Sequence, residues 1–143
     1  MDSPMFRLLA ASAVVALTVS VAACDISGAI DPQISFATER QDWSATLVDT
    51  AQVDGNLRTL ISTGLVLTPT ECYNLRSSMS VRNGVISLTI TGTQASSQCA
   101  AAPGAYGFTF LASGIDAGRY TVRVLYAIAG RPTATVLETT VTL

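Results

Sequence analysis

Residues 77–90 read Ser-Ser-Met-Ser-Val-Arg-Asn-Gly-Val-Ile-Ser-Leu-Thr-Ile, and the Asn83-Gly84 pair at their centre decides the fold class. Asn and Gly accept the two consecutive positive φ angles of a type I′ two-residue turn, whose twist matches that of the flanking strands. With Arg82 and Val85 closing the turn, the register follows: Val81 faces Ile86, Met79 faces Leu88 and Ser77 faces Ile90. These positions are largely apolar, while Arg82, Ser80 and Ser78 meet Val85, Ser87 and Thr89 on the other side. Turn chemistry and side-chain alternation therefore agree, and the segment reads as a hairpin with one face buried.

The same grammar runs outward from this hairpin. Segments rich in Val, Ile, Thr and aromatics alternate with Gly, Pro, Asn and Asp, which predicts strands near 43–48, 57–67, 73–82, 85–93, 105–112, 119–129 and 133–143. Tyr120, Val122, Val124, Tyr126 and Ile128 share one face, as do Tyr106, Phe108, Phe110 and Ala112. Leu57, Ile61, Leu65 and Leu67 form a third expected core row, and Leu137, Val141 and Leu143 a fourth. Each row needs a facing sheet to bury it. About seven strands in roughly 100 residues is the scale of an all-β, antiparallel, immunoglobulin-like sandwich. The folded domain is expected to span residues 42–143, and the polar, aperiodic stretch 24–41 reads as a tether.

The first 23 residues are of another kind. An apolar run begins at Leu8, just after the first basic residue, Arg7, and closes on Val21-Ala22-Ala23-Cys24. A basic start, an apolar centre and small residues before a cleavage point form a secretory signal. The run is short of the ~20 residues of a spanning helix and includes Ser12, Thr18 and Ser20, which disfavours an uncleaved span. Its end resembles the lipobox of bacterial lipoproteins. The resemblance implies that the leader 1–23 is removed and that Cys24 becomes a diacylated N-terminus holding the domain on a membrane. Asp25 resembles the residue that retains enterobacterial lipoproteins at the inner membrane; other lineages read it differently.

With Cys24 assigned to lipid, Cys72 and Cys99 remain as an even pair in an exported chain and are expected to form a disulfide. Closing a loop of about 28 residues contributes roughly 3.5 kcal/mol in the chain-entropy picture. The hairpin register sets Cys72 opposite Ala95, so a short return loop can bring Cys99 back to close the open end of the hairpin.

A second resemblance lies at Ile115-Asp116-Ala117-Gly118-Arg119-Tyr120-Thr121-Val122-Arg123-Val124. It is similar to the corner before strand F in fibronectin type III and related sandwiches. That implies that the Tyr120 hydroxyl bonds nearby backbone, as in a tyrosine corner. It covers about ten residues and bears on architecture alone.

Composition narrows the chemistry. The 143-residue chain has no histidine, and all eight of its basic residues are arginine. Serine–histidine and cysteine–histidine catalysis and histidine-dependent zinc sites are thereby excluded. The carboxylates Asp42, Asp49 and Asp54 are the remaining catalytic or calcium-binding candidates, but they lack motif spacing and suit backbone capping in turns. The expectation is a non-enzyme with no metal and no cofactor. Residues 25–56 carry six acids against Arg40, whereas residues 57–143 carry six arginines against Glu71, Asp116 and Glu138. If the strands bearing them are neighbours, Arg76, Arg82 and Arg123 share one outer sheet face and could meet an envelope protein or an anionic glycan. An exposed charged face also serves solubility and register alone. Net charge −2 and export argue against nucleic acid.

The expected function is a lipid-anchored binding or protein-interaction module of the bacterial cell envelope, on its periplasmic or cell-surface side. The alternative is a structural spacer or accessory subunit without a ligand of its own. Intact mass spectrometry of protein from its native membrane is expected to show a chain starting at Cys24 with a diacylglyceryl adduct. Two thiols should become alkylatable only after reduction. A chain starting at Met1 contradicts this.

Overall fold

A computed structural model describes residues 31–143; the leader, Cys24 and Asp25 lie outside the described residues. Eight strands form two four-stranded sheets packed as a sandwich. Sheet I has the order β1-β6-β3-β2, built from β1 (Gln33–Gln41), β6 (Gly104–Ser113), β3 (Thr59–Thr68) and β2 (Thr50–Asn56). Sheet II has the order β4-β5-β7-β8, built from β4 (Tyr73–Arg82), β5 (Val85–Gln94), β7 (Arg119–Ile128) and β8 (Ala134–Thr142). The expected all-β sandwich is thus present, in an arrangement compatible with an immunoglobulin-like domain.

The hairpin at Asn83-Gly84 forms as read. Asn83 and Gly84 have φ of 50° and 74°, and Arg82–Val85, Val81–Ile86, Met79–Leu88 and Ser77–Ile90 are partners. A disulfide joins Cys72 to Cys99 with 5.8 Å between Cα atoms. Ala95 N–H donates to the Cys72 carbonyl at 2.8 Å, so hydrogen bond and covalent link close the open end of β4–β5 together. The Tyr120 hydroxyl donates to the Asp116 carbonyl at 2.9 Å, the corner contact expected of it.

Five expectations are corrected. Residues 33–41, assigned to the tether, form strand β1 along the edge of β6 with only Phe36 half-buried among exposed neighbours. The predicted strand 43–48 is instead part of the loop between β1 and β2. Asp54, expected to cap a turn, lies instead within β2: at the next residue, Gly55, a Cβ would stand 3.1 Å from Val141 Cβ of β8 and 2.7 Å from Leu143 Cδ2, so the approach there is too close for a side chain. The turn falls one step later, at Leu57-Arg58, with φ of 46° and 64°.

The parity of β3 is also reversed. Leu60, Ser62 and Val66 are buried, while Ile61 faces outward and Leu57 is 85% exposed. Both faces of β3 carry branched apolar side chains, so alternation alone could not choose between them. Finally, not every pair is antiparallel. The strand between β5 and β7 in sequence, β6, lies in the other sheet, so β5 and β7 run the same way and pair in parallel, Ile86 with Val122 and Leu88 with Val124.

The core is a single cluster. Ile86, Leu88, Ile90, Val122, Val124 and Tyr126 of sheet II meet Leu60, Val66, Tyr106, Phe108 and Phe110 of sheet I. Tyr126 is 1% exposed and stands edge-on to Phe108, with ring centroids 6.0 Å apart. Its hydroxyl donates across the sandwich to the Thr50 carbonyl at 2.5 Å. Gly64 makes this possible, since a Cβ there would lie 2.2 Å from that carbonyl and 2.8 Å from the Tyr126 hydroxyl. Burial, followed by the Asp49 charge and partly offset by Arg131, pushes the Tyr126 phenol well above the ordinary tyrosine range.

Two outcomes follow for urea unfolding with the disulfide intact. Gly64→Ala is expected to cost about 3 kcal/mol or more through overpacking against backbone. Tyr126→Phe is expected to cost about 1 to 2 kcal/mol by removing the part-buried hydrogen bond that joins the two sheets. Because the folded state holds the Tyr126 proton more tightly, its contribution is complete below about pH 10 and is lost as pH rises beyond it. Tyr126→Phe should therefore flatten the alkaline loss of stability.

Candidate functional site

Each sheet uses one face for the core, which leaves two outer faces. On sheet II the outward positions are mainly Ser and Thr, including Ser78 and Ser80 on β4 and Ser87, Thr89, Thr91 and Thr93 on β5. Arg76, Arg82 and Arg123 do share this face, with Arg119 beside them. The strands that bear them are not neighbours, however. Strand β5 lies between β4 and β7. Arg76 and Arg82 are six residues apart along β4, about 20 Å at the rise of a strand. The guanidinium of Arg123 is paired with Glu138, Nε to Oε2 at 2.7 Å. The arginines are thus dispersed over a flat surface and do not converge on a point.

The outer face of sheet I is different. Here a trough of about 780 Å³ crosses all four strands. Pairing sets Glu39, Gly107, Leu65 and Thr50 in one row and Ala37, Thr109, Thr63 and Gln52 in the next. Gly107 at the centre of the sheet carries no side chain, and this deepens the floor. Gln41 leans over the gap, with Nε2 2.7 Å from where a Cβ on Gly107 would sit. Leu65 supplies an apolar floor, and the outward pair Ile61 and Leu111, 41% and 37% exposed, bounds one end.

Strand chemistry explains the placement. Thr50-Ala51-Gln52-Val53 alternates polar and apolar, so Ala51 and Val53 turn to the core and Thr50 and Gln52 to the trough. That signal was present in the sequence. It was missed because Gly55 drew the turn into the strand. Glu39 and Gln41 were missed for a different reason: an edge strand with one half-buried side chain gives no apolar period to detect.

The side chains of Glu39, Gln41, Gln52, Thr50, Thr63 and Thr109 make no hydrogen bond to other protein groups among the described residues. Amides and hydroxyls of this kind can both donate and accept. Glu39 is the one ionisable group among the lining residues.

The candidate aspartates serve elsewhere. Asp49 sits at the far end of the sandwich, where its Oδ1 accepts from Leu67 N–H at 2.8 Å and from Arg131 Nη2 at 3.2 Å. Arg131 Nη1 closes a second contact to Oδ2, so the pair is bidentate and only about a quarter exposed. Asp49 thereby ties the β1–β2 loop to β3 and to the β7–β8 turn. Asp54 faces outward from β2 and Asp42 lies in the loop after β1. Among the described residues, no three His, Cys, Asp or Glu side chains gather as metal ligands would.

No protein-family model, curated protein or solved structure matches this chain.

Asp49→Asn keeps the shape but removes the charge facing Arg131. It is expected to lower stability by on the order of 2 kcal/mol in chemical denaturation. A loss below a few tenths of that size would show the pair to be no more than a surface contact.

Proposed function

We propose that this chain is a lipid-anchored, non-catalytic binding module of the bacterial cell envelope, with an immunoglobulin-like sandwich that takes a neutral glycan segment in the trough of sheet I. The observation that carries the reading is the convergence of unpaired amide, hydroxyl and carboxylate side chains on one concave, partly apolar floor. Sugar hydroxyls are bound by such groups, while their C–H faces lie against apolar surface. Glu39 disfavours a polyanion here, and the dispersed arginines of sheet II favour a role in solubility over a glycan site. A single carboxylate also falls short of the pair that glycoside hydrolysis requires, which supports binding without turnover. Anchoring rests on Val21-Ala22-Ala23-Cys24, and the Cys72–Cys99 disulfide accords with an oxidising compartment.

Gly107→Leu is the discriminating variant. Its side chain would fill the trough from the solvent side, displacing only the flexible end of Gln41 and leaving the core untouched. Retention of the parent protein on neutral envelope oligosaccharides in a glycan array is expected, with loss of at least ~10-fold in affinity for Gly107→Leu and unchanged melting temperature. Arg76→Gln with Arg82→Gln should bind like the parent. Binding that survives Gly107→Leu and fails in the arginine variant would move the site to sheet II.

A further inference from the structure

The end of the sandwich where the described chain begins has features the fold does not require. Gln33 and Thr59 both pair with Ser113, so the start of β1, the Leu57-Arg58 turn and the β6–β7 loop lie together. The Asn83-Gly84 turn joins them, because Thr121 N–H donates to the Gly84 carbonyl at 2.9 Å. At this end Leu57 is 85% exposed at a positive φ of 46°. Asn or Gly suits that backbone far better, as the neighbouring Asn83-Gly84 tip shows. Arg58 is held by its own contacts, Nε to the Ile115 carbonyl at 2.9 Å and an ion pair to Asp116, so the turn is fixed while Leu57 projects from it. Beside it an apolar cleft of about 150 Å³ opens between the sheets, where Val81 is 40% exposed next to Pro32 and Ile115. Arg82 and Arg119, each next in sequence to a cleft residue (Val81 and Tyr120), lie at this end on the outer face of sheet II and have no ion-pair partner among the described residues. The acids at or near this end are Asp31, Asp54 three residues before Leu57 on β2, and Asp116, which is paired with Arg58.

We infer that this end is a bilayer-contacting surface, with Leu57 seated at the boundary of headgroups and acyl chains and Arg82 and Arg119 on lipid phosphates. The inference rests on the reading of Cys24 as acylated. Six residues lie between Cys24 and Asp31, so seven Cα steps give a reach of at most ~25 Å. A ten-residue strand is ~33 Å long. The tether therefore leaves the Leu57 end, where it attaches, free to rest on the bilayer and stops short of the opposite end, where the β1–β2 loop carries Trp43. Apolar tips with flanking arginines suit an interface whose phosphates are anionic and whose boundary is apolar.

Trp43 is the sole tryptophan, which makes the test direct. The acylated protein is reconstituted in vesicles of phosphatidylglycerol and phosphatidylcholine carrying either brominated or ordinary acyl chains. In Trp43→Phe/Leu57→Trp, tryptophan emission is expected to be strongly quenched by the brominated chains, whereas Trp43 of the parent stays bright. Adding Arg82→Gln and Arg119→Gln should weaken the quenching roughly twofold. A protein that floats with the vesicles but is unquenched at position 57, or is quenched at Trp43, overturns the orientation while leaving the anchor intact. A protein that does not float with the vesicles and lacks the diacylglyceryl mass overturns both.

Discussion

The hydroxyl of Tyr126 crosses from one sheet to the other and donates to the Thr50 carbonyl, through a gap that exists only because residue 64 is glycine. This contact fixes which way β3 faces. With Gly64 turned inward, Leu60, Ser62 and Val66 follow it to the core, and Thr63 and Leu65 must turn out. A one-residue slip would put Thr63 and Leu65 against Phe108 and Tyr126 and send Leu60 and Val66 into solvent. The edge-on packing of Tyr126 on Phe108 reinforces the same register. The floor of the trough is thus a consequence of how the core is locked on its other side.

The two ends and two faces of the sandwich then divide the work. The outer face of sheet II is flat and hydroxyl-rich, with its arginines spread out and Arg123 neutralised by Glu138. The outer face of sheet I is concave, because Gly107 leaves its centre empty while Gln41, Glu39, Gln52 and Thr50 rise from the edge strands. At one end the disulfide and the Asp49–Arg131 pair gather the longer loops. At the other, two short turns and the start of β1 make a compact tip. The proposed roles place a ligand on the concave face and the bilayer at the tip, so that each can be engaged without obstructing the other.

Much of sheet II was legible in the sequence. Asn83-Gly84 set the β4–β5 register, the even positions from Tyr120 to Ile128 marked the buried face of β7, and the cysteine spacing against Ala95 indicated the disulfide. Sheet I was less legible, for identifiable reasons. Gly55 looked like turn chemistry but answers to the close approach of Leu143, a tertiary demand with no local signature. Leu57-Arg58 adopts a turn conformation that its residue types do not announce. Ile61, Leu65 and Leu67 imitate a core row, and only the glycine beneath Tyr126 shows that they are not one. The trough was hidden with them, because three of its four strands were missed, misplaced or turned the wrong way.

The measurement that tests the central claim most directly is a chemical-shift titration of the isotopically labelled mature protein in detergent micelles with a neutral envelope oligosaccharide. The account expects perturbations confined to Glu39, Gln41, Thr50, Gln52, Thr63, Leu65, Gly107 and Thr109, on four-strand rows that are contiguous in space but scattered in sequence. Perturbations centred on Ser87, Thr89 and Thr121, or none at saturating ligand, would contradict it.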